Sequence, residues 1–239
     1  MKKAALLGFC LVCLSLFCQA QVNIQLLYDC VDAPYTTIET YKGDRWGDTY
    51  FFIDHYYATR EDRKIGLGSA YRGSYFEIER GLNFWHDTRL KDFYLHVEYD
   101  GSSWGKGMAC IGAKYAFHNT NFSRTASVAL MYDHYIGPGS ANVPLKFTGV
   151  WKAERLFGVG GLTFDGFIDV WGNNTEYITS QMGIGYDHFS IVSQPQLWMN
   201  MSVIGVPNLN LGGEVVLGYN HHDSHGFSMQ PGVGIKWAF

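Results

Sequence analysis

The chain has 239 residues, a formal net charge of -4, 17% charged residues and 16% aromatic residues. Charged residues are scarcer than the roughly 25% of an average globular protein, and mean hydropathy is only -0.09. Beyond the N-terminal segment no run of about 18 apolar residues could form a spanning helix, which excludes a helical membrane protein. A pI of about 6.1 argues against nucleic-acid binding, which requires a basic face. This composition fits an all-β protein with one face in lipid and one in water.

Residues 1–20 predict a secretory signal peptide. Lys2 and Lys3 precede an apolar run, and Cys18-Gln19-Ala20 ends it as a small-residue cleavage site. The run is too short for a transmembrane anchor. Because the segment contains two lysines and no acid, its removal changes the formal net charge from -4 to -6. Residues 21–239 are then predicted to form a single domain.

Alternation of apolar and polar residues predicts strands throughout this domain. Strands of membrane barrels show about ten alternating residues between turn residues. The segments with this pattern are, in chain order, 22–30, 36–42, 49–57, 70–79, 93–100, 107–117, 123–134, 143–152, 161–171, 189–201, 209–219 and 227–239. The first is broken by Leu27. Since single-chain bacterial barrels have even strand numbers, 172–188 is interpreted mostly as a long outer loop.

The final segment has the clearest pattern. Its apolar residues alternate from Phe227 through Trp237 to the C-terminal Phe239, which resembles the sorting signal of bacterial outer-membrane barrels. Phe239 is therefore expected to engage the barrel-assembly machinery, and Tyr and Trp at strand ends are expected to form interfacial girdles. A soluble β-sandwich would also alternate, but with charged rather than aromatic outer residues. The sequence predicts a transmembrane antiparallel β-barrel of twelve strands in the lipid of the cell outer membrane.

If the apolar residues face lipid, the opposite parity defines the inner face. Its acids are Asp29, Glu39, Asp54, Glu77, Glu79, Glu98, Asp165, Asp169 and Glu214, its bases are chiefly Lys114, Lys146 and Lys236, and its aromatics are Tyr41, Tyr50, Phe52, Tyr56, Tyr75, Phe167, Trp171 and Trp198. Acids repel anions at short range, and aromatic faces stack nucleobases with about 1–3 kcal/mol each. This pattern favours a small, polar, uncharged or cationic solute with a ring. The same side chains can also fill a narrow barrel with no solute, and that alternative stays open.

Several stretches carry a resemblance to a known family. Residues 23–29, 46–54, 74–79, 194–198 and 234–239 resemble the nucleoside-specific outer-membrane channel family (Tsx-like), in particular its shorter relatives. The resemblance implies a twelve-stranded barrel that passes nucleosides and deoxynucleosides by diffusion, with no cofactor and no catalytic residue. It implies binding roles for the acidic pair Glu77 and Glu79, for Asp54 and Glu39, and for neighbouring aromatics. The predicted lumen set is Glu39, Tyr41, Asp54, Tyr56, Tyr75, Glu77, Glu79 and Trp198.

Other constellations give weaker signals. The His-rich stretch 220–225 could bind a transition metal, but its place in a predicted outer loop favours a solvated turn, and no metal site is predicted. A lipid hydrolase or acyltransferase on a barrel needs a Ser–His pair, and no G-x-S-x-G motif marks Ser127, Ser190 or Ser193. That enzyme remains an alternative, as does a plugged structural or binding barrel. Cys30 and Cys110 could pair, but each is interpreted as a small apolar residue.

Overall fold

A computed structural model describes residues 21–30, 33–59, 62, 64, 71–179, 183–221 and 225–239. The predicted signal peptide, residues 1–20, lies outside the described residues. In chain order the strands are β1 (Gln21–Asp29), β2 (Pro34–Asp44), β3 (Gly47–Tyr57), β4 (Tyr71–Leu82), β5 (Phe93–Ser102), β6 (Gly107–His118), β7 (Arg124–Ile136), β8 (Leu145–Glu154), β9 (Leu162–Ile178), β10 (Ile184–Ser193), β11 (Gln196–Asn200), β12 (Leu209–Tyr219) and β13 (Phe227–Ala238). Short 3-10 turns at Leu156–Gly158 and Met201–Ile204 connect neighbouring strands.

The strands form one closed sheet. Each pairs antiparallel with its neighbours, and β1 pairs with both β2 and the last strand β13. β10 and β11 lie one after the other between β9 and β12 and share one position in the sheet. The thirteen segments therefore build a barrel of twelve strands, and the predicted fold class is confirmed. Among the described residues, closure pairs every strand of the barrel on both sides, so the barrel itself has no edge strand.

Among the described residues, no helix has the length and apolarity that a membrane crossing requires.

A proline separates β10 from β11. Pro195 has no N–H to donate to the ladder, but its carbonyl still accepts from Val215 N at 3.1 Å, and Gln194 N donates to Phe167 O at 3.0 Å. Gly166 lies opposite this break with a φ of 149°. A Cβ at Gly166 would come within 2.4 Å of the Gln194 carbonyl oxygen. Glycine at this position thus permits the close approach that keeps the interrupted strand in the barrel.

The expectation of a long outer loop over 172–188 is wrong. β9 continues to Ile178 and β10 begins at Ile184. Beyond Trp171 this part of β9 pairs only with β10, so the two strands extend past the barrel rim as a hairpin. Polar residues at 172–176 conceal the alternation that would identify a strand, and the hairpin is held by its own backbone ladder.

The two faces of the sheet differ in chemistry. Apolar residues of the outer parity are exposed, among them Ile24, Leu26, Ile78, Ile111, Leu130, Leu211, Val233 and Ile235. Exposed aromatics mark the ends of the strands, with Trp46 and Trp237 at the end where β1 starts and Tyr71 and Tyr219 at the far end. The inner parity carries most of the buried polar and charged side chains. This arrangement matches an apolar band between two aromatic girdles.

Candidate functional site in the barrel interior

Strand register places the predicted acids side by side on the inner face. In one row Glu39 lies opposite Phe52, Phe52 opposite Glu77, and Glu77 opposite Asp100. In the next row Tyr50 lies opposite Glu79, which lies opposite Glu98. Like charges directly opposite each other destabilise a sheet. The β4–β5 pair thus requires compensating positive charge or bound protons inside the barrel.

Three half-buried rings line the inner face of β3 and β4. The ring centroids of Tyr50 and Phe52 are 5.9 Å apart, and those of Phe52 and Tyr75 are 5.7 Å apart. We call Tyr50, Phe52 and Tyr75 the aromatic wall. Glu77 lies beside it, with the Tyr75 hydroxyl 3.4 Å from the Glu77 carboxylate. The wall therefore presents partly exposed ring surface next to a hydrogen-bond acceptor.

Asp54 is held by two hydroxyl groups beside the aromatic wall. Thr37 Oγ1 donates to one oxygen at 2.5 Å, and Tyr56 OH donates to the other at 3.3 Å. The Tyr56 ring packs against Tyr35, with centroids 5.6 Å apart. The predicted lumen residues Asp54, Tyr56 and Tyr75 are thus brought together on adjoining strands.

A hydrogen bond between non-neighbouring strands shows that side chains of the inner face meet inside the barrel. Tyr35 OH on β2 donates to Glu214 on β12, although β1 and β13 lie between those two strands. Gln196 Nε2 also donates to Glu214 at 2.9 Å. On the same side Gln25 Nε2 donates to Glu39 at 2.8 Å. Glu39 is therefore already engaged by an amide, and its remaining lone pairs face the inner space.

The other two predicted lumen residues have contrasting surroundings. Tyr41 lies near the end where β1 starts and is 46% exposed. Trp198 is 2% exposed and packs with Leu27 and Tyr35. The Lys236 ammonium sits 4.3 Å from the centroid of the Trp198 ring. A solute would reach the Trp198 ring only if these neighbours moved.

Next to the aromatic wall, from β5 to β9, the interior holds an ion network centred on one lysine. Lys146 Nζ on β8 lies 2.5 Å from Glu98, 3.2 Å from Asp169 and 3.4 Å from Asp100. We call these four residues the lysine cluster. Lys146 is 2% exposed, and its contacts with β5 cross the positions of β6 and β7. The cluster thus joins the inner faces of β5 and β8 across the two strands that lie between them.

Sequence parity identified part of this network but not its composition. It assigned Lys146, Glu98 and Asp169 to the inner face. The predicted set of inner charged residues does not contain His96 or Asp133. Both are buried on the inner face, beside Glu98 and Cys110 respectively. The sequence did carry a signal for both residues. His96 alternates with the outward-facing Val97, and Asp133 alternates with the outward-facing Tyr132, which predicts that His96 and Asp133 face inward. The described cysteines, Cys30 and Cys110, are both free.

A polar pocket of about 410 Å³ opens where the β9–β10 hairpin meets the β7–β8 loop. Its lining residues are Ser140, Asn142, Asn174, Glu176, Tyr186 and His188. In the nearby 220–225 stretch, His225 Nδ1 contacts Asp187 at 2.9 Å and its ring stacks on Tyr177. Residues 222–224 lie outside the described residues. Within the described part, the converging groups of metal-ligating atoms lie in the barrel interior instead.

The serines considered for an enzyme have other partners. Ser190 Oγ donates to the Asn220 carbonyl and Ser193 Oγ donates to the Phe167 carbonyl. Neither contact resembles the hydrogen bond to histidine that activates a serine nucleophile. In the described part of the chain, no hydrogen bond joins a histidine to Ser127, Ser190 or Ser193.

A closed twelve-stranded barrel with an apolar outer face and a charged, aromatic inner face defines a porin-like β-barrel protein. The chain belongs to the family described as Domain of unknown function (DUF5020), whose profile matches residues 21–239.

Two solved structures are similar to the chain. A structure titled "NanC porin structure in rhombohedral crystal form" matches with a TM-score of 0.55 and 10% identity, covering 90% of this chain and 98% of that chain. The outer membrane channel DcaP of Acinetobacter baumannii matches with a TM-score of 0.37 and 11% identity, covering 86% and 63% of the two chains. The NanC similarity establishes the fold alone. No curated protein sequence is significantly similar to the chain, and nucleoside specificity stays a prediction.

Proposed function

We propose that the protein is an outer-membrane channel for passive diffusion of small polar solutes that carry a flat ring, with nucleosides as the solute class. The observation that carries this proposal is the aromatic wall. Tyr50, Phe52 and Tyr75 are half-buried inside the barrel, and the Asp54 and Glu77 carboxylates lie beside them.

The chemistry of the wall suits the two parts of a nucleoside. A base stacks on an aromatic face with about 1–3 kcal/mol. The sugar hydroxyls and exocyclic amines donate hydrogen bonds, and carboxylates accept them. The inner acids also repel phosphate groups. We therefore expect nucleosides to pass more readily than nucleotides.

The outer surface supports membrane placement. Its exposed apolar residues and terminal aromatics suit contact with outer-membrane lipid. Since twelve strands bring both ends of the barrel chain to one side, that side is assigned to the periplasm and the β9–β10 hairpin to the exterior. The terminal strand β13 with Phe239 is assigned to recognition by the barrel-assembly machinery. No cofactor and no catalysis enter this proposal.

A planar-bilayer experiment tests the proposal. Purified protein is inserted into a bilayer, and current is recorded before and after addition of uridine, adenosine or the corresponding monophosphates. We expect an open-channel current that nucleosides reduce in a saturable manner and that nucleotides affect less. A complete absence of current would favour the plugged barrel. A current that responds equally to both solute classes would overturn the nucleoside assignment.

An activity assay separates the enzyme alternative from the channel. Purified protein in detergent micelles is incubated with phospholipid and with a soluble ester substrate. Release of fatty acid, or acyl transfer, above that of a denatured sample would contradict a purely passive channel. We expect neither product.

A further inference from the structure

We propose that the barrel interior holds a divalent transition-metal ion, of which zinc is the representative, on Glu79, His96 and Glu98. This inference stands apart from the proposed function, because it concerns binding to the purified barrel in the absence of any solute.

The ligand atoms converge with the spacing of a metal site. His96 Nε2 lies 3.4 Å from Glu79 Oε2 and 3.3 Å from Glu98 Oε2. The three ligand atoms all lie within 4.8 Å of one another. Ligands about 2.0–2.1 Å from a tetrahedral zinc ion are separated by roughly 3.3 Å. An ion placed between these atoms thus requires little movement of the side chains.

The β4–β5 ladder holds the three side chains in position. Glu79 and Glu98 are directly opposite each other, and His96 is two residues from Glu98 on the same face. His96 itself lies opposite Gly81 on one side and Gly112 on the other. The His96 ring turns Nε2 toward both carboxylates. Ligands on paired strands are more precisely placed than ligands on loops.

The acids around the site favour a bound cation. Glu77 and Glu79 face Asp100 and Glu98 across the β4–β5 pair, and Asp169 is nearby. Lys146 is the ammonium group bonded within this set, and it contacts only Glu98, Asp100 and Asp169 among these acids. Glu98 uses Oε1 for Lys146 and Oε2 for His96. Lys114 also acts electrostatically on Glu79, but its ammonium group is bonded to Asp48. A divalent ion at Glu98 Oε2 would add positive charge next to Glu79, which neither lysine contacts directly.

Buried polar atoms without partners lie around the proposed site rather than in it, and they show that its surroundings lack compensating groups. His96 is 1% exposed and its Nδ1 has no hydrogen-bond partner. Asp133 is 1% exposed and neither of its oxygens has one. Asp133 lies opposite Cys110, which in turn lies opposite Glu98, and it interacts electrostatically with Lys146. Buried carboxylates without partners are costly, so further positive charge or ordered water is expected here.

The donor set selects the class of ion. One imidazole nitrogen with two carboxylate oxygens suits zinc and other first-row divalent ions, whereas calcium prefers six to eight oxygens and soft copper(I) prefers sulfur. Three protein ligands leave one position of a tetrahedral ion for water. The competing interpretation is that His96 Nε2–H donates a hydrogen bond to the two carboxylates and that no ion binds. This interpretation predicts no metal uptake.

Metal binding to the full protein in detergent tests the inference. The protein is stripped with EDTA and titrated with zinc chloride in a calorimeter, and cobalt(II) is added to a second sample. We expect one zinc ion per chain, a rise in the thermal unfolding temperature with zinc, and the visible absorption bands of four-coordinate cobalt. Absence of zinc uptake by the folded wild-type protein would overturn the inference.

Matched variants locate the ion. His96→Gln and, separately, Glu79→Gln should each weaken zinc binding by roughly tenfold or more, since even changes outside the ligand shell weaken metal sites by about 10–100-fold. The double variant His221→Gln, His225→Gln removes imidazoles at the far end and should leave the tight site unchanged. Zinc uptake that is lost in this double variant but kept in both interior variants would place binding in the His-rich stretch and overturn the interior site. The wild-type cobalt spectrum decides the matter if an interior variant does not fold.

Discussion

The aromatic wall on β3 and β4 and the lysine cluster, which begins on the adjoining strand β5, lie side by side in one interior but differ in how their polar groups are used. On β3 and β4, neutral rings and carboxylates remain half-buried, and the partners of Asp54 are hydroxyl groups, Thr37 on the neighbouring strand and Tyr56 on the same strand. On β5 and β8, the charged groups are almost fully buried and bind each other across two intervening strands. The first arrangement leaves ring faces and lone pairs available. The second uses its ammonium group and one oxygen of each carboxylate in ion pairs that join β5, β8 and β9.

This contrast explains how one acidic inner face can serve both stability and transport. Removing a partner from the lysine cluster exposes buried charge to an apolar environment, which is costly. Removing a ring from the aromatic wall creates space in a region already partly open to solvent. Mutations in the two regions should therefore separate stability from solute interaction.

The largest expected effect is on stability and comes from Lys146→Met. This change leaves Glu98, Asp100 and Asp169 without their ammonium partner, and breaking a buried ion pair costs about 3–5 kcal/mol. Urea unfolding in lipid vesicles measures the loss. Lys152→Met is the control, because the Lys152–Glu154 pair is exposed at 42% and 45% and such pairs contribute only about 0–1 kcal/mol. Equal stability of the two variants would contradict the structural role of the cluster.

The second effect concerns solute affinity and comes from Tyr75→Leu and Phe52→Leu. Loss of one stacking face should weaken nucleoside block of the current by roughly fivefold to a hundredfold, corresponding to about 1–3 kcal/mol. Phe76→Leu is the matched control, since Phe76 is next to Tyr75 in sequence but has the outer parity and packs on Tyr99. If all three variants kept the wild-type affinity, the wall would not be the binding surface.

A third, smaller effect concerns ion selectivity. Replacing both Glu77 and Glu79 with Gln should lower the preference for cations, because the two carboxylates no longer attract them. Reversal potentials in a potassium chloride gradient measure this, with EDTA present so that a bound metal does not contribute. Glu154→Gln, at an exposed strand end, provides the comparison. An unchanged reversal potential in the double variant would place these carboxylates away from the ion path.

The smallest effect is that of salt. Raising ionic strength from about 0.1 M to 1 M shortens the screening length from roughly 10 Å to 3 Å. Groups beside the aromatic wall are partly accessible, so cation preference should decline. The lysine cluster is buried and screened far less, so the unfolding midpoint of the wild type should change little. A salt-induced loss of stability as large as that of Lys146→Met would show that the cluster is open to solvent.

Much of this fold follows from local sequence. Alternation predicted strands close to those observed, and parity predicted which residues share the inner face, because side chains in a strand alternate between two sides. Leu27 interrupts the alternation of the first strand for a physical reason. It lies on the inner face, 1% exposed, and packs with Tyr35 and Trp198, so part of the interior is apolar.

Other features depend on contacts that a local pattern does not contain. The extension of β9 to Ile178 rests on pairing with β10, since its own residues are mostly polar there. The meeting of Lys146 with Glu98 depends on barrel curvature, because 48 residues separate them. The burial of Trp198 under Lys236 likewise depends on strand stagger. The parity of a residue along its strand predicts which side of the sheet it faces. Closure of the sheet into a barrel determines which of the inward-facing residues contact each other.

The pairing of β1 with β13 has a consequence for the order of events in assembly. Residues 23–29 pair with 232–238, and Phe239 N donates to Val22 O at 2.9 Å, so these contacts join the beginning of the barrel to its very end. Bringing together segments separated by almost the whole domain carries the largest entropic cost of any strand pairing here. Until that final seam forms, the sheet has two open edges that can bind other chains. The seam therefore completes the barrel last, and loss of a few C-terminal residues would leave an assembly intermediate rather than a slightly smaller pore.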